Sequence, residues 1–296
     1  LLIALVLGFL IPMVVIYIRE KANTTVRGRK DLKKVNVPFL GEIPFSISRQ
    51  NRPTLEQRIK FWKKPKEVRM IVVKAGKRDI VNEAFRVLRT NFEFTIGTHP
   101  EQNVIVFTSF NPGSGKSHIA ANMAMSLAIK KKKVLLIDGD LRHGSTSMLI
   151  HSPGEGLSDY LNGRIADIHD ILYKGEENGL VKNFDVIPIG TIPPNPTELL
   201  FTPLLEQMIK TMREEYDYVF IDCPPIEVVA DTPIYEQFAD RTIFVVRAGL
   251  MERSMLPEVN ALYKAKKFKN MTLILNGTKA HGGRYGSHYG YGYGYG

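Results

Sequence analysis

The sequence predicts an α/β protein whose mostly parallel sheet is flanked by helices and preceded by one transmembrane helix. Three observations carry that prediction. From residue 103 onward, short apolar runs rich in β-branched residues alternate with stretches of helical periodicity. The runs are continuously apolar, as strands covered on both faces are. Ahead of them, residues 1–18 hold no charged side chain and end abruptly at Arg19-Glu20-Lys21.

Eighteen helical residues rise ~27 Å, close to a hydrocarbon core of ~30 Å. Gly8 and Pro12 are tolerated in such helices, and Tyr17 suits the headgroup level. A secretory signal would need a basic start and a small-residue cleavage site, and neither is present. A buried core helix is the alternative reading. The chain begins with Leu1, so an upstream part is expected.

The formal charge of +10 is local. Residues 19–78 hold 18 Lys/Arg against 5 Asp/Glu, whereas 79–296 hold 22 against 25. The basic stretch reads as a juxtamembrane linker that marks the cytoplasmic side and attracts anionic lipid. Within it, 51–66 reads as linker or lid edge. The near-neutral remainder argues against a nucleic-acid partner. One cysteine, Cys223, excludes an intramolecular disulfide framework and fits a reducing compartment.

Strands are expected at 104–107, 134–137, 185–189, 218–221, 242–246 and 271–275. Helices are expected at 116–130, where Ile119, Met123 and Leu127 recur at helical spacing, and at 197–214, 232–237 and 254–264. Trp62 and the methionines read as packing residues. The domain plan is a transmembrane helix at 1–18, the linker at 19–78, the catalytic domain at 79–280 and a flexible tail at 281–296.

Gly113-Ser114-Gly115-Lys116-Ser117 falls between a strand and a helix, where backbone N–H groups cradle phosphates. Lys116 would reach the phosphates and Ser117 a Mg2+ ion. The full pattern wants Gly at position 110, where this chain has Phe110. The second strand runs into Asp138-Gly139-Asp140-Leu141-Arg142, and the fourth into Asp222-Cys223-Pro224-Pro225. Ligands of open parallel sheets bind at the carboxyl ends of strands, so Asp138, Asp140 and Asp222 should share the rim with the loop. Asp240 reads as a turn former, and Lys130 to Lys133 as a solvated loop or a partner patch.

With these motifs in place, the chain resembles the bacterial tyrosine kinases of the polysaccharide-assembly type, relatives of the deviant-Walker P-loop ATPases of the division-site and partition group. The likeness runs from Pro38 onward. The segment 134–142 resembles the family's second Walker element and 219–225 its Walker B element. The loop 190–200, Gly190-Thr191-Ile192-Pro193-Pro194-Asn195-Pro196-Thr197-Glu198-Leu199-Leu200, is also similar. Glu83, Arg86 and Arg89 match an E-x-x-R-x-x-R helix that packs subunits into a ring; the same spacing also allows a simple solvent-exposed pair.

The resemblance implies phosphoryl transfer from ATP, with Mg2+, to tyrosine. It assigns catalysis to Lys116, Asp138, Asp140 and Asp222. Nucleotide contacts fall to Gly113, Ser114, Gly115, Lys116, Ser117, His118 and Asn276, the last toward the adenine. The metal falls to Ser117, Asp138, Asp140 and Asp222; the order of Asp138 and Asp140 between base and metal support stays open. The tail holds seven glycines and Tyr285, Tyr289, Tyr291, Tyr293 and Tyr295, which the resemblance makes phosphoacceptors for a neighbouring subunit. It further implies an octamer-like homo-oligomeric ring at a bacterial plasma membrane, with polysaccharide export machinery and a tyrosine phosphatase as partners. A switch ATPase and a non-catalytic ATP-binding scaffold are the rivals; the former's pattern wants lysine at position 111, where this chain has Asn111.

Overall fold

The computed structural model describes residues 8–10, 12–15, 17, 21–45, 70–96, 99, 101–227 and 231–279. Seven parallel strands form one sheet: β1 (Phe39–Phe45), β2 (Val104–Ser109), β3 (Val134–Asp138), β4 (Phe184–Ile187), β5 (Tyr218–Asp222), β6 (Arg241–Arg247) and β7 (Thr272–Lys279). Their order across the sheet is β1-β7-β6-β2-β5-β3-β4. The helices are α1 (Ile80–Ile96), α2 (Lys116–Ala128), α3 (Leu157–Leu161), α4 (Pro196–Leu199), α5 (Pro203–Glu215), α6 (Thr232–Glu236) and α7 (Leu256–Lys264).

Side chains alternate across each strand, and the alternation sorts them between two faces. Ile105, Phe107, Leu136, Phe220 and Ile243 join Phe85, Leu88 and Phe92 of α1 and Ile119 and Met123 of α2 in one cluster. Val104, Val106, Leu135, Ile137, Val219 and Ile221 pack on the other side against Leu157 of α3 and Leu205, Met208 and Met212 of α5. Both faces of the central strands are therefore dry, which is why their sequences show no polar alternation.

β1 was not expected. The run Phe39-Leu40-Gly41-Glu42-Ile43-Pro44-Phe45 is broken by Gly and Pro, residues that weaken a strand pattern. It survives because it lies at the sheet edge, where a missing N–H costs little, and its pairing with β7 shifts register between Ile43 and Pro44. Gly41 is where α1 comes down on the strand: a Cβ there would lie 2.9 Å from Leu88 Cδ1.

This corrects the reading of 19–78 as a linker for its residues 24–45. Val26, Leu32 and Val37 are buried with Phe244, Leu273 and Val259. Val26 N donates to Met251 O at 2.8 Å, and Val26 O accepts from Gly249 N at 2.7 Å. Residues 46–69, including Trp62 and the stretch 51–66, lie outside the described residues. Met70 to Lys74 forms no regular element, its backbone gripped by the amides of Asn122 and Asn82.

Three other expectations shift. The helix over 197–214 is two helices, because Pro203 at the first turn of α5 lacks an N–H to continue α4. The strand over 185–189 ends at Ile187 before Pro188, whose carbonyl instead accepts from Leu157 N. The helix over 254–264 starts at Leu256, after a 3-10 turn.

Among the described residues no helix is long and apolar enough to cross a membrane. The expected spanning segment is thus not shown as one. Its described residues, 8–10, 12–15 and 17, are helical and exposed, Phe9 and Met13 each to 75%.

Candidate active site

β2 delivers the chain to the rim at Ser109, and α2 leaves it at Lys116. Between them the loop is held by short hydrogen bonds: Ser109 Oγ and Ser114 Oγ both donate to Asn111 O, at 2.9 and 2.7 Å. Gly113 and Gly115 have φ of 73° and 87°, the left-handed region that glycine alone enters freely. At Gly115 a side chain would also strike the Asn276 amide. Phe110 occupies the missing glycine's place with its side chain buried in one cluster with Met251 and Leu256. The turn needs no glycine there.

Asp138 and Asp222 end neighbouring strands and pair in register. Asp138 Oδ2 accepts from Ser147 N and Oγ, both at 2.7 Å, and Asp222 Oδ2 accepts from Thr146 Oγ1 at 2.7 Å. Each leaves its Oδ1 buried without a hydrogen-bond partner. Burial, then the charge of Asp222, pushes Asp138 up to about 7. Burial also raises Asp222, against the opposing pull of Lys116 and hydrogen bonds from Ser117 and Thr146. The loop's lysine and serine are thus beside the strand-end carboxylates.

Asp140 lies close enough for its charge to act on both Asp138 and Asp222, although no group of three or more acidic, His or Cys side chains placed to hold a metal occurs among the described residues. Two residues past the strand, it accepts from Arg142 N at 3.2 Å and faces His143. A pair with bare oxygens fits Mg2+, which takes one or two carboxylates and completes its shell with phosphates and water.

Asn276 Nδ2 donates to Ser114 O at 2.9 Å, so its amide nitrogen braces the loop. His118 turns its ring edge-on to Phe85 at 6.1 Å, toward α1, and burial lowers its pKa. Of the expected interface triple, Glu83 and Arg86 form an exposed ion pair at 2.6 Å. Arg89 turns inward and donates to Ser126 O and Oγ at 2.9 and 3.1 Å, because α2 packs beside it. Asp240 is structural, accepting from Val104 N and Arg213. Lys132 pairs with Asp217 at 3.7 Å in the turn before β3. The tail tyrosines lie outside the described residues.

Sequence reasoning missed Thr146 and Ser147, the hydroxyls that aim the two carboxylates. It also missed a clamp: Arg142 bonds Asp231 and, at 2.9 Å, Thr197, whose hydroxyl donates to Asp231 at 2.6 Å. The clamp ties the loop 190–200 to the rim. The hydroxyl-rich Ser145-Thr146-Ser147 just past Arg142 was the available signal.

A family model described as an AAA domain matches residues 102–252. The chain is 34% identical over 208 residues to the tyrosine-protein kinase CpsD of Streptococcus agalactiae, covering 70% of this chain and 87% of that protein. The chain belongs to the bacterial tyrosine-protein kinases. A longer member, the tyrosine-protein kinase Wzc of Salmonella typhimurium, is 33% identical over 250 residues, 82% of this chain. The chain spans about a third of that kinase's length. Among solved structures, the kinase domain of the Escherichia coli tyrosine kinase ETK superposes with a TM-score of 0.73 at 28% identity, covering 91% of this chain and all of that one. The BceF tyrosine kinase domain gives 0.68 at 28% identity, over 86% and 99% of the two chains. The parallel sheet with flanking helices is the fold shared with these two kinase domains.

Proposed function

We propose that this tyrosine kinase transfers the γ-phosphoryl group of ATP to tyrosine hydroxyls of its own C-terminal cluster, Tyr285, Tyr289, Tyr291, Tyr293 and Tyr295, in a neighbouring copy. The observation that carries the reading is the Asp138–Asp222 pair, each with one bare buried oxygen, beside the loop that presents Lys116 and Ser117.

The backbone amides of 113–117 and the Lys116 ammonium hold the phosphate chain and offset its charge. Ser117 and Asp222 would hold Mg2+, which would supply positive charge to offset that of the phosphates. Asp138, with a pKa near 7, accepts the tyrosine proton while the phenolic oxygen bonds to phosphorus and the bond to ADP breaks. Asp140 supports the site from the turn beyond. The clamp through Arg142 keeps the loop 190–200 at the rim, where an acceptor tyrosine has to enter.

The wider reading places the kinase at the cytoplasmic face of a bacterial plasma membrane. It is anchored through residues 1–18, assembled as a ring through Glu83 and Arg86, and regulates polysaccharide synthesis and export with a phosphatase reversing the modification. The uncharged run, its exposed Phe9 and Met13, and the basic residues that follow support the anchor.

Incubating the protein with γ-labelled ATP and Mg2+ tests the reading. Label on tyrosine, lost when all five tail tyrosines become phenylalanine, supports it. Release of free phosphate alone marks a switch ATPase, and neither product marks a scaffold; either outcome overturns it.

A further inference from the structure

Arg247 ends β6 directly opposite Asn276 on β7. Its Nη1 lies 3.5 Å from where a Cβ on Gly115 would stand, so the guanidinium rests against the phosphate loop. Its stem runs past Gly277, with Cγ and Nε 3.8 and 3.9 Å from the corresponding Cβ position there.

The side chain is half-buried, and among the described residues it makes no hydrogen bond and no ion pair. Its counterparts are engaged: Arg142 with Asp231, Arg213 with Asp240, Arg89 with Ser126. Lys116 has Asp222 as an opposite charge. A partly desolvated guanidinium with no acceptor is unfavourable unless something else supplies one. The start of α2, at the same loop, adds further positive potential. His118 feels the cation, which helps to keep its ring neutral.

We propose that Arg247 is a nucleotide-binding residue whose guanidinium takes the phosphate chain from the Asn276 side of the loop, opposite Lys116. The inference rests on the nucleotide reading of that loop and not on which group accepts the phosphoryl. An arginine suits the task because its planar fork offers two parallel donors to one phosphate.

The test is calorimetric binding of ADP, AMP and adenosine to the full chain and to Arg247→Met and Arg247→Lys, with melting of each protein without nucleotide. Arg247→Met should weaken ADP about tenfold and adenosine little, as loss of one charge-assisted contact does. Arg247→Lys should recover part of the ADP affinity, and the nucleotide-free Tm should not move. Unchanged ADP binding overturns the inference. So does an equal loss for adenosine, which would mean stacking on the base, or a fall in nucleotide-free Tm that accounts for the loss, which would mean a structural brace. No phosphoryl transfer is read, so failure of the kinase reading leaves this result separate.

Discussion

Asp138 and Asp222 stand opposite each other on adjacent parallel strands, each with one oxygen fixed by a hydroxyl from the Thr146-Ser147 turn and the other bare. Two buried carboxylates this close repel, and the fold tolerates the repulsion at the point where a cation would relieve it.

The pH dependence of stability follows from that pair. Asp138 titrates at about 7 in the fold, against ~3.9 for an ordinary aspartate. Between those values the folded protein keeps a proton the unfolded chain has lost, so stability falls as pH rises. Asp138→Asn, melted with chelator and without nucleotide, should therefore raise Tm at pH 8 and leave it nearly unchanged at pH 4. Tyrosine phosphorylation should fall by about 10²–10⁴, the usual contribution of a general base. An equal Tm change at both pH values would contradict the assignment.

Asn276→Ala removes the amide that holds Ser114 O. One lost buried hydrogen bond is worth ~1 kcal/mol, so Tm should drop by about 2–4 °C. ADP affinity should fall several-fold as Gly115 and its neighbours loosen. Calorimetric titration beside a melting curve checks both.

Arg89 and Arg86 should separate on substitution although they lie one turn apart. Arg89→Ala breaks the tie to Ser126 and should cost ~1–3 kcal/mol. Arg86→Ala leaves the fold within about 1 kcal/mol, since its partner Glu83 is exposed. If the outer face of α1 joins subunits, sedimentation of Arg86→Ala should show weaker self-association at unchanged Tm.

His169 bridges Asp167 at 2.8 Å and Glu215 at 3.0 Å, and these hydrogen bonds raise its pKa. A raised histidine adds stability below its ordinary value, and the gain vanishes as pH climbs through the folded value. His169→Gln should melt about 2 °C or less below the parent at pH 6 and level with it at pH 9, the effect staying small at an exposed site. A deficit that persists at pH 9 would point to packing instead.

The central strands and the loop were legible because their signals are local. Val104 to Phe107 and Val134 to Ile137 are unbroken apolar runs, and Gly113 to Ser117 sits between two of them. What escaped depends on partners distant in sequence. β1 carries a proline and a glycine and is a strand only because β7 lies beside it. Arg89 and Arg86 look alike in sequence, and only the position of α2 turns one inward. Arg142 and Thr197 meet through Asp231, 89 and 34 residues away from them respectively.

The pairing of β1 with β7 has a practical side. A version of the chain trimmed to start at residue 79 would leave Leu273, Ile274 and Leu275 with an open row of backbone donors and acceptors along one flank. Such a flank invites strand addition from any neighbouring molecule. It would also lose Val26, Leu32 and Val37 from the layer beneath. Preparations beginning ahead of Asn23 should stay well behaved, and shorter ones should clump.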